Sequence, residues 1–432
     1  MFKLTIPPTR APGVRLLIAG SLALLLALPA QAAPALTLEQ ALRLAQERSR
    51  QLVAQDAMAA AARHMAVAAA QLPDPVLKAG INNLPVTGPD PWNLTRDPLT
   101  MRSIGVMQEL VRGDKRGARA LRFEREAQAV EAARVLSLSN LQRDTAIAWL
   151  ERHYQERLFE LLSRQRGEAL LQIEAAEAAY RGVRGSQSDV LAARSAVAQI
   201  DDRLAQAAQQ LANTRTQLAR WIGDMARQPL AERPDTSQIR VSSADLEKQL
   251  AHHPQIAVLS RQEAVAQADA EIAASNKQTD WSVELMYNQL GPAYANMVSV
   301  NLALPLQWDQ KNRQDRELQA KLAVVEQLRA EREEATRAHV AEVQAMLLEW
   351  QSNRQRLDRY EQILLPLARE RVNAALAAYR GGGGMLDAVL EARRGDLETR
   401  MERLRLELET ARLWAQLNAM IPAHDSTAPV TP

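Results

Sequence analysis

Two stretches of more than sixty residues, about Ala118–Tyr180 and about Arg313–Tyr379, contain almost nothing that would stop a helix. The first holds only Gly167 as a breaker and the second only Pro366, 199 positions later. At 1.5 Å per residue a run of this length extends to about 95 Å, far beyond the width of an ordinary globular domain. Val343, Trp350, Leu357 and Leu364 recur every seven residues in the second run, with Val340 and Leu347 three residues before the first two. That spacing predicts a coiled-coil seam. A chain built around two such helices must fold as an elongated, antiparallel coiled-coil object.

The helices belong to a repeat. "AAYRGVRGSQSDVLAAR" (Ala178–Arg194) lies over "AAYRGGGGMLDAVLEAR" (Ala377–Arg393), an offset of 199. Upstream, "ELVRGDKR" (Glu109–Arg116) lies over "PLQWDQKN" (Pro305–Asn312), and "SRQL" (Ser49–Leu52) over "HPQI" (His253–Ile256), at offsets of 196 and 204. This reads as an internal duplication. Each half has one order: a helix (Leu38–Gln71 or Ala244–Asn276), two strand-like segments, the long helix, a "YRG…G" turn, and a return helix to Ile222 or Ile421. The expected divisions are 1–32, 33–223, 224–242, 243–422 and 423–432: a leader, a first repeat, a linker, a second repeat and a tail.

The strand-like segments are the exception in a helical chain. In "WSVELMYN", Trp281, Val283, Leu285 and Tyr287 face one way and Ser282, Glu284, Met286 and Asn288 the other. Val298, Val300, Leu302 and Leu304 alternate in the same way with Ser299, Asn301 and Ala303. In the first half Leu77, Ala79 and Ile81 alternate with Lys78, Gly80 and Asn82, and Ile104 and Val106 with Ser103, Gly105 and Met107. Strands of this length with one apolar face suit a transmembrane β-barrel, and Trp92, Tyr294 and Trp308 near their ends fit an aromatic girdle. Four strands cannot close a barrel and open edges are not tolerated in lipid, so the chain is expected to oligomerise. Three copies would supply twelve strands.

Composition supports an exported protein. Lys3, Arg10 and Arg15 precede the apolar segment Leu16–Leu28, and Pro29 and Ala30-Gln31-Ala32 follow it, the pattern of a signal peptide over residues 1–32. Removing those residues takes away three positive charges and no negative ones, so the net charge goes from +2 to −1. A nucleic-acid partner is thereby disfavoured. There is no cysteine, which excludes disulfides, thiolate metal sites and lipid attached to an N-terminal cysteine.

The duplicated order of helix, two strands, long helix, Tyr-x-x-Gly turn and return helix resembles the TolC-like outer-membrane factor family over about Ala33–Pro422. The stretch Leu72–Arg116 is similar to the branch that serves heavy-metal exporters of the resistance-nodulation-division (RND) type. The resemblance implies an α+β membrane protein: a homotrimeric, twelve-stranded barrel in the outer membrane, continued by a periplasmic α-helical barrel. Its linker, Gly223–Ser243, and its C-terminal tail would contribute to a belt around the middle. It implies an exit duct in a tripartite efflux system, exporting copper, silver, cobalt, zinc or cadmium cations. The implied partners are a periplasmic membrane-fusion adaptor, an inner-membrane RND transporter and outer-membrane lipid. Multidrug efflux or type I protein secretion is the alternative cargo class. A non-channel coiled-coil adaptor or scaffold is the rival class, disfavoured by two hairpins and four amphipathic strands.

In that family the turns form the periplasmic tip, where the channel closes and the adaptor docks. The residues concerned are Tyr180, Arg181, Gly182, Gly185, Tyr379, Arg380, Gly381 and Gly384. Gly182 and Gly381 are expected to need a positive φ or a close helix approach. Asp387 and Glu391, four apart on one helical face, would form carboxylate rings selecting cations. Asp189 holds the family's acidic place nine residues after Tyr180. In the second half Ala388 takes that place and Asp387 stands one residue early. The glycine run lacks the Gly-Lys-Ser/Thr of a phosphate loop. Six histidines make no metal-binding spacing, and His252 and His253 would point apart on a helix. Met58, Met65, Met101 and Met107, with His64, read as packing. No catalytic constellation is present, so neither an enzyme nor a cofactor is expected.

Overall fold

The computed structural model describes residues 35–241 and 253–420. The expected signal peptide, the start of the helix from Ala244, His252, His424 and the C-terminal tail lie outside the described residues.

Helix α1 (Leu38–Arg48) opens with a reciprocal cap, in which Thr37 Oγ1 accepts from the Gln40 amide and the Gln40 side chain accepts from the Thr37 amide. The single helix expected over Leu38–Gln71 is broken. Ser49 adopts extended geometry, ends α1 and caps α2 (Arg50–Ala69) by accepting from the Leu52 amide. A serine competes with the helix ladder for that amide, and periodicity alone does not reveal such a break. Strands β1 (Val76–Asn82) and β2 (Met101–Leu110) follow, then α3 (Gly113–Arg181), 69 residues long and unbroken through Gly167. Helix α4 (Gln187–Ile222) returns along it. The second half gives α5 (Pro254–Ser275), β3 (Trp281–Gln289), β4 (Met297–Ala303), α6 (Gln314–Arg359), α7 (Leu365–Arg380) and α8 (Leu386–Met420).

Between α6 and α7 one wider, π-helical turn spans Tyr360–Leu364. Pro366 has no amide hydrogen and crowds the preceding turn, and the wider turn absorbs that conflict without ending the helix. It also shifts the phase of the apolar stripe. Val343, Leu347 and Trp350 are buried against Leu413 and Leu417 of α8. Leu357 is half-buried and Leu364 is exposed, so the heptad seam read from the sequence closes only as far as Trp350 within one chain.

The four strands form one antiparallel sheet in the order β1-β2-β3-β4, at one end of the helical columns. The columns below follow the same order, α2 on α3, α3 on α5, and α5 on α6. The main core lies midway down the helices, where Trp149, Leu150, Leu218, Ile222 and Ala411 are sealed together with Leu36. The segment after α4 wraps this core. Leu36 pairs with Leu230, the buried Arg152 guanidinium donates to the carbonyls of Ala226 and Gln228, and Trp414 Nε1 donates to the Gln238 carbonyl at 2.8 Å.

Candidate functional site

The sequence-predicted residues fall in two regions of this architecture: the sheet and the opposite tip, where the helical hairpins turn.

The sheet register places apolar residues in rows. Leu77 pairs with Val106, Val106 with Leu285, and Leu285 with Val300; the next row is Ala79, Ile104, Tyr287 and Val298. Among the described residues no helix covers this face. Leu77, Ile104, Leu285 and Val300 are 69%, 53%, 55% and 69% exposed. The opposite face is polar and internally bonded. Asn82 Nδ2 donates to Ser103 Oγ (2.8 Å), Ser103 Oγ to Asn288 Oδ1 (2.6 Å), and Asn288 Nδ2 to Ser299 Oγ (2.9 Å). Lys78 reaches Glu284 at 2.8 Å on the same face. A sheet with a bare apolar face and a satisfied polar face cannot rest in water; it suits lipid outside and an aqueous lumen inside. Trp92 and Tyr294 stand in the loops at the far end, while Trp281 opens β3 and Trp308 follows β4 at the helical end. Among the described residues no helix is long and apolar enough to cross a membrane.

At the junction of sheet and helices, Lys115 Nζ meets Asp280 Oδ2 at 2.6 Å, both largely buried, and the Arg112 amide donates to Asp280. Burial works to raise the Asp280 pKa, but these two hydrogen bonds outweigh it and hold the carboxyl below its usual range.

At the tip, α3 ends at Arg181 and α7 at Arg380, and each turn is closed by paired amides donating to the last carbonyls. The Gly182 and Gly381 amides donate to Ala178 and Ala377 at 3.0 Å. Gly182 and Gly381 have φ of −83° and −78°, so the expected positive φ is absent there. It falls one residue later, at Val183 (φ 59°) and Gly382 (φ 78°). A Cβ on Gly182 or Gly381 would come no closer than 3.4 Å to its neighbours, an ordinary contact. The crowded glycines are Gly185, whose Cβ would lie 3.1 Å from Ala179 Cβ, and Gly384, whose Cβ would lie 3.0 Å from the Tyr379 nitrogen. The constraint is close backbone approach after the turn, which the sequence match could not distinguish from a turn conformation.

The tip surface is mixed. Tyr180 is exposed, Tyr379 is half-buried against Leu386 and Val389, Arg380 is exposed, and Arg181 and Arg194 both face Glu177. Val183 is 92% exposed and Met385 75% exposed, two apolar residues at the apex that sequence reasoning had not singled out.

Asp189 is committed elsewhere: its carboxylate accepts from the Ser186 amide at 2.8 Å, and Ser186 Oγ accepts from the Asp189 amide, capping α4. Asp387 and Glu391 share one face of α8 and line a groove of about 320 Å³ against α3 and α4. Glu391 is paired with Arg394, while Asp387 is exposed and has no ionic partner among the described residues. Arg394 thus enters the site as a partial counter-charge.

His253 and His339 meet, though 86 residues apart, with ring centroids at 4.0 Å. His253 caps α5, its Nδ1 accepting from the Gln255 amide. Burial, then the neighbouring His339, pushes its pKa down to about 4. The only sequence signal was His253 directly before a proline that starts a helix. Among the described residues no three His, Asp or Glu side chains cluster as a metal site. Met58 and Met65, expected to pack, are exposed on α2.

No protein-family model matches the sequence, and no curated protein matches it significantly. Solved structures do match the fold. The outer membrane protein VceC of Vibrio cholerae aligns over 89% of this chain and 95% of its own, with a TM-score of 0.72 at 19% identity. The outer membrane channel CmeC of Campylobacter jejuni covers 89% of this chain and 85% of its own, with a TM-score of 0.74 at 11% identity. CusC, a structure described in terms of transmembrane channel formation, covers 88% and 92%, with a TM-score of 0.68 at 16% identity.

Proposed function

Because the chain has the fold of TolC-like outer-membrane channels, we propose that it is the outer-membrane exit duct of a tripartite efflux system. Three copies combine their sheets into a twelve-stranded barrel in the outer membrane, and the helices continue it as a conduit through the periplasm. The observation that carries this reading is the four-stranded sheet with a bare apolar face, set end-on to helical columns. A soluble scaffold has no use for such a face. The hairpin tips, with Val183 and Met385 at their apex, receive a periplasmic adaptor, which links the duct to an inner-membrane RND transporter. Metal cations are the proposed cargo, on the similarity of Leu72–Arg116 to the heavy-metal branch.

Asp387 and Glu391, repeated three times, are the proposed cation-selective constriction. A ring of carboxylates between low-dielectric walls concentrates negative potential and favours multivalent cations. Single-channel conductance in a planar bilayer tests this. Cation selectivity and block by di- or trivalent cations should fall together in Asp387→Ala with Glu391→Ala. Asp387→Ala alone should account for most of the loss, because Glu391 is already paired with Arg394. Conducting channels with selectivity and block unchanged in the double variant would remove these residues from the gate.

A further inference from the structure

The two halves of the sheet obey one numerical rule. In the first hairpin the pairs run from Val76↔Met107 to Asn82↔Met101. In the second they run from Ser282↔Ala303 to Asn288↔Met297. Adding 206 to each β1 number and 196 to each β2 number converts the first set into the second, pair for pair. The hairpins are therefore equivalent in register. The junction between them, β2 on β3, is a third pairing with no equivalent inside one chain, while β1 and β4 are left as edges.

We propose that neighbouring copies join β4 to β1 in the register that the same two offsets assign from β2–β3. Ile104↔Tyr287 becomes Val300 against Ile81 of the neighbouring copy. Gly105↔Met286 becomes Asn301 against Gly80, Val106↔Leu285 becomes Leu302 against Ala79, and Gln108↔Val283 becomes Leu304 against Leu77. Apolar residues then meet on the lipid face at every second position, and the seam continues the rows already present. The occupant of each edge is a second copy of this chain. The proposal rests on the trimeric-barrel reading for the number of copies, but the register itself is independent of that number.

Three observations meet at this seam. The first is the polar chain on the inner face. Ser103 Oγ donates to Asn288 Oδ1, and the offsets turn this bond into Ser299 Oγ donating to Asn82 Oδ1 of the neighbour. Those are the two hydrogen-bonding positions that the single chain leaves unused at the ends of its run Asn82–Ser103–Asn288–Ser299. Joined head to tail, the runs close into a ring of alternating asparagine and serine around the lumen, every bond pointing the same way. Open runs would leave one donor, the Ser299 hydroxyl, unpaired at the β4 edge and one acceptor, Asn82 Oδ1, unpaired at the β1 edge.

The second is ionic. The buried pair Lys115–Asp280 fastens β2–β3 at the helical end. The offsets convert Lys115 into position 311 and Asp280 into position 74, and those residues are Lys311 and Asp74. Both are exposed and neither has an ionic partner among the described residues. Across the proposed seam they form the missing counterpart. The third is helical. Ala268 is buried and Asp269 half-buried on α5, which packs on α3, and Arg122 of α3 is bonded to Asp269 at 3.3 Å. Their counterparts at the offset of 204, His64 and Met65 of α2, are bare.

The chain has no cysteine, so paired cysteines in the full-length protein report this seam directly. Two adjacent pairs are needed, because antiparallel pairs alternate between wide and close spacing. Val300→Cys with Ile81→Cys, and Asn301→Cys with Gly80→Cys, should give on mild oxidation a ladder ending at trimer on non-reducing denaturing gels. The better of the two should link at least several-fold faster than Val300→Cys with Ala79→Cys. Faster linkage in that slipped pair, or a trimer in detergent with no linkage at either predicted pair, would overturn the seam. A ladder that closes at dimer or tetramer would uphold the seam and overturn the trimeric barrel. In a separate arm, Lys311→Glu should shorten the trimer's half-life on heating in detergent several-fold. Adding Asp74→Lys should restore it. A double variant no better than the single would remove the ion pair from the seam.

Discussion

Val183 holds a β-branched side chain at φ 59° and is 92% exposed at the tip, where its counterpart in the second half is Gly382. A conformation of this kind costs on the order of 1–3 kcal/mol and persists where surrounding structure imposes it, so a bare valine there marks the apex as a place of contact. His253 shows the opposite economy, a titratable group used purely as a cap. Its Nδ1 can accept from the Gln255 amide only while unprotonated, and its ring faces His339, with Glu342 and Arg143 around the same cavity. Because the folded-state pKa is lowered to about 4, the unfolded chain binds the proton first as pH falls. Stability should therefore be full above about pH 6.5, the ordinary histidine value, and fall progressively towards pH 4. Thermal melting of the detergent-solubilised protein at pH 7 and pH 5 should show a drop of a few degrees at the lower pH. His253→Asn, which keeps a capping acceptor without the titration, should reduce that drop. An unchanged pH dependence in the variant would assign it to other groups.

At the scale of elements, the tip hairpins are shaped by packing just after the turn. Leu386, Val389, Val190 and Ala193 form a small apolar cluster there, and Gly384 and Gly185 let the returning chain lie against Ala378–Tyr379 and Ala179. Gly384→Val should force this contact open, with the ~1–3 kcal/mol cost of an overpacked site, and should abolish adaptor association while leaving the trimer intact. Gly381→Ala should leave both unchanged, since its Cβ would make only ordinary contact at 3.4 Å. Co-purification of the adaptor with each variant, alongside native-gel mobility, checks the pair. Loss of binding in Gly381→Ala but not in Gly384→Val would invert the account.

The whole molecule exposes what a free monomer would hide. Its sheet is bare on the apolar face, and Met58 and Met65 on α2 and Leu322 and Leu348 on α6 are bare on the helical columns. There is no cysteine to brace the chain, and in the proposed trimer these surfaces are covered by assembly and lipid. Extraction should require detergent, and light scattering corrected for detergent should give three times the mass of the mature chain. A monodisperse monomer without detergent would end the channel reading.

Period-seven and period-two patterning made the long helices and the four strands legible, because burial against a partner imposes that spacing wherever the partner lies. The offsets between matching segments were legible too, and the strand faces came out as read. Other features depended on contacts that spacing does not encode. Ser49 splits a helix through one side-chain bond. Pro366 is absorbed by a wider turn that moves Leu364 out of the seam. Asp189 spends its carboxylate on a cap, and Arg394 tempers Glu391. His253 and His339 meet only because distant helices pack side by side. Periodicity records how each element is buried. Where polar side chains find their partners is decided by which elements become neighbours, and that belongs to the folded chain.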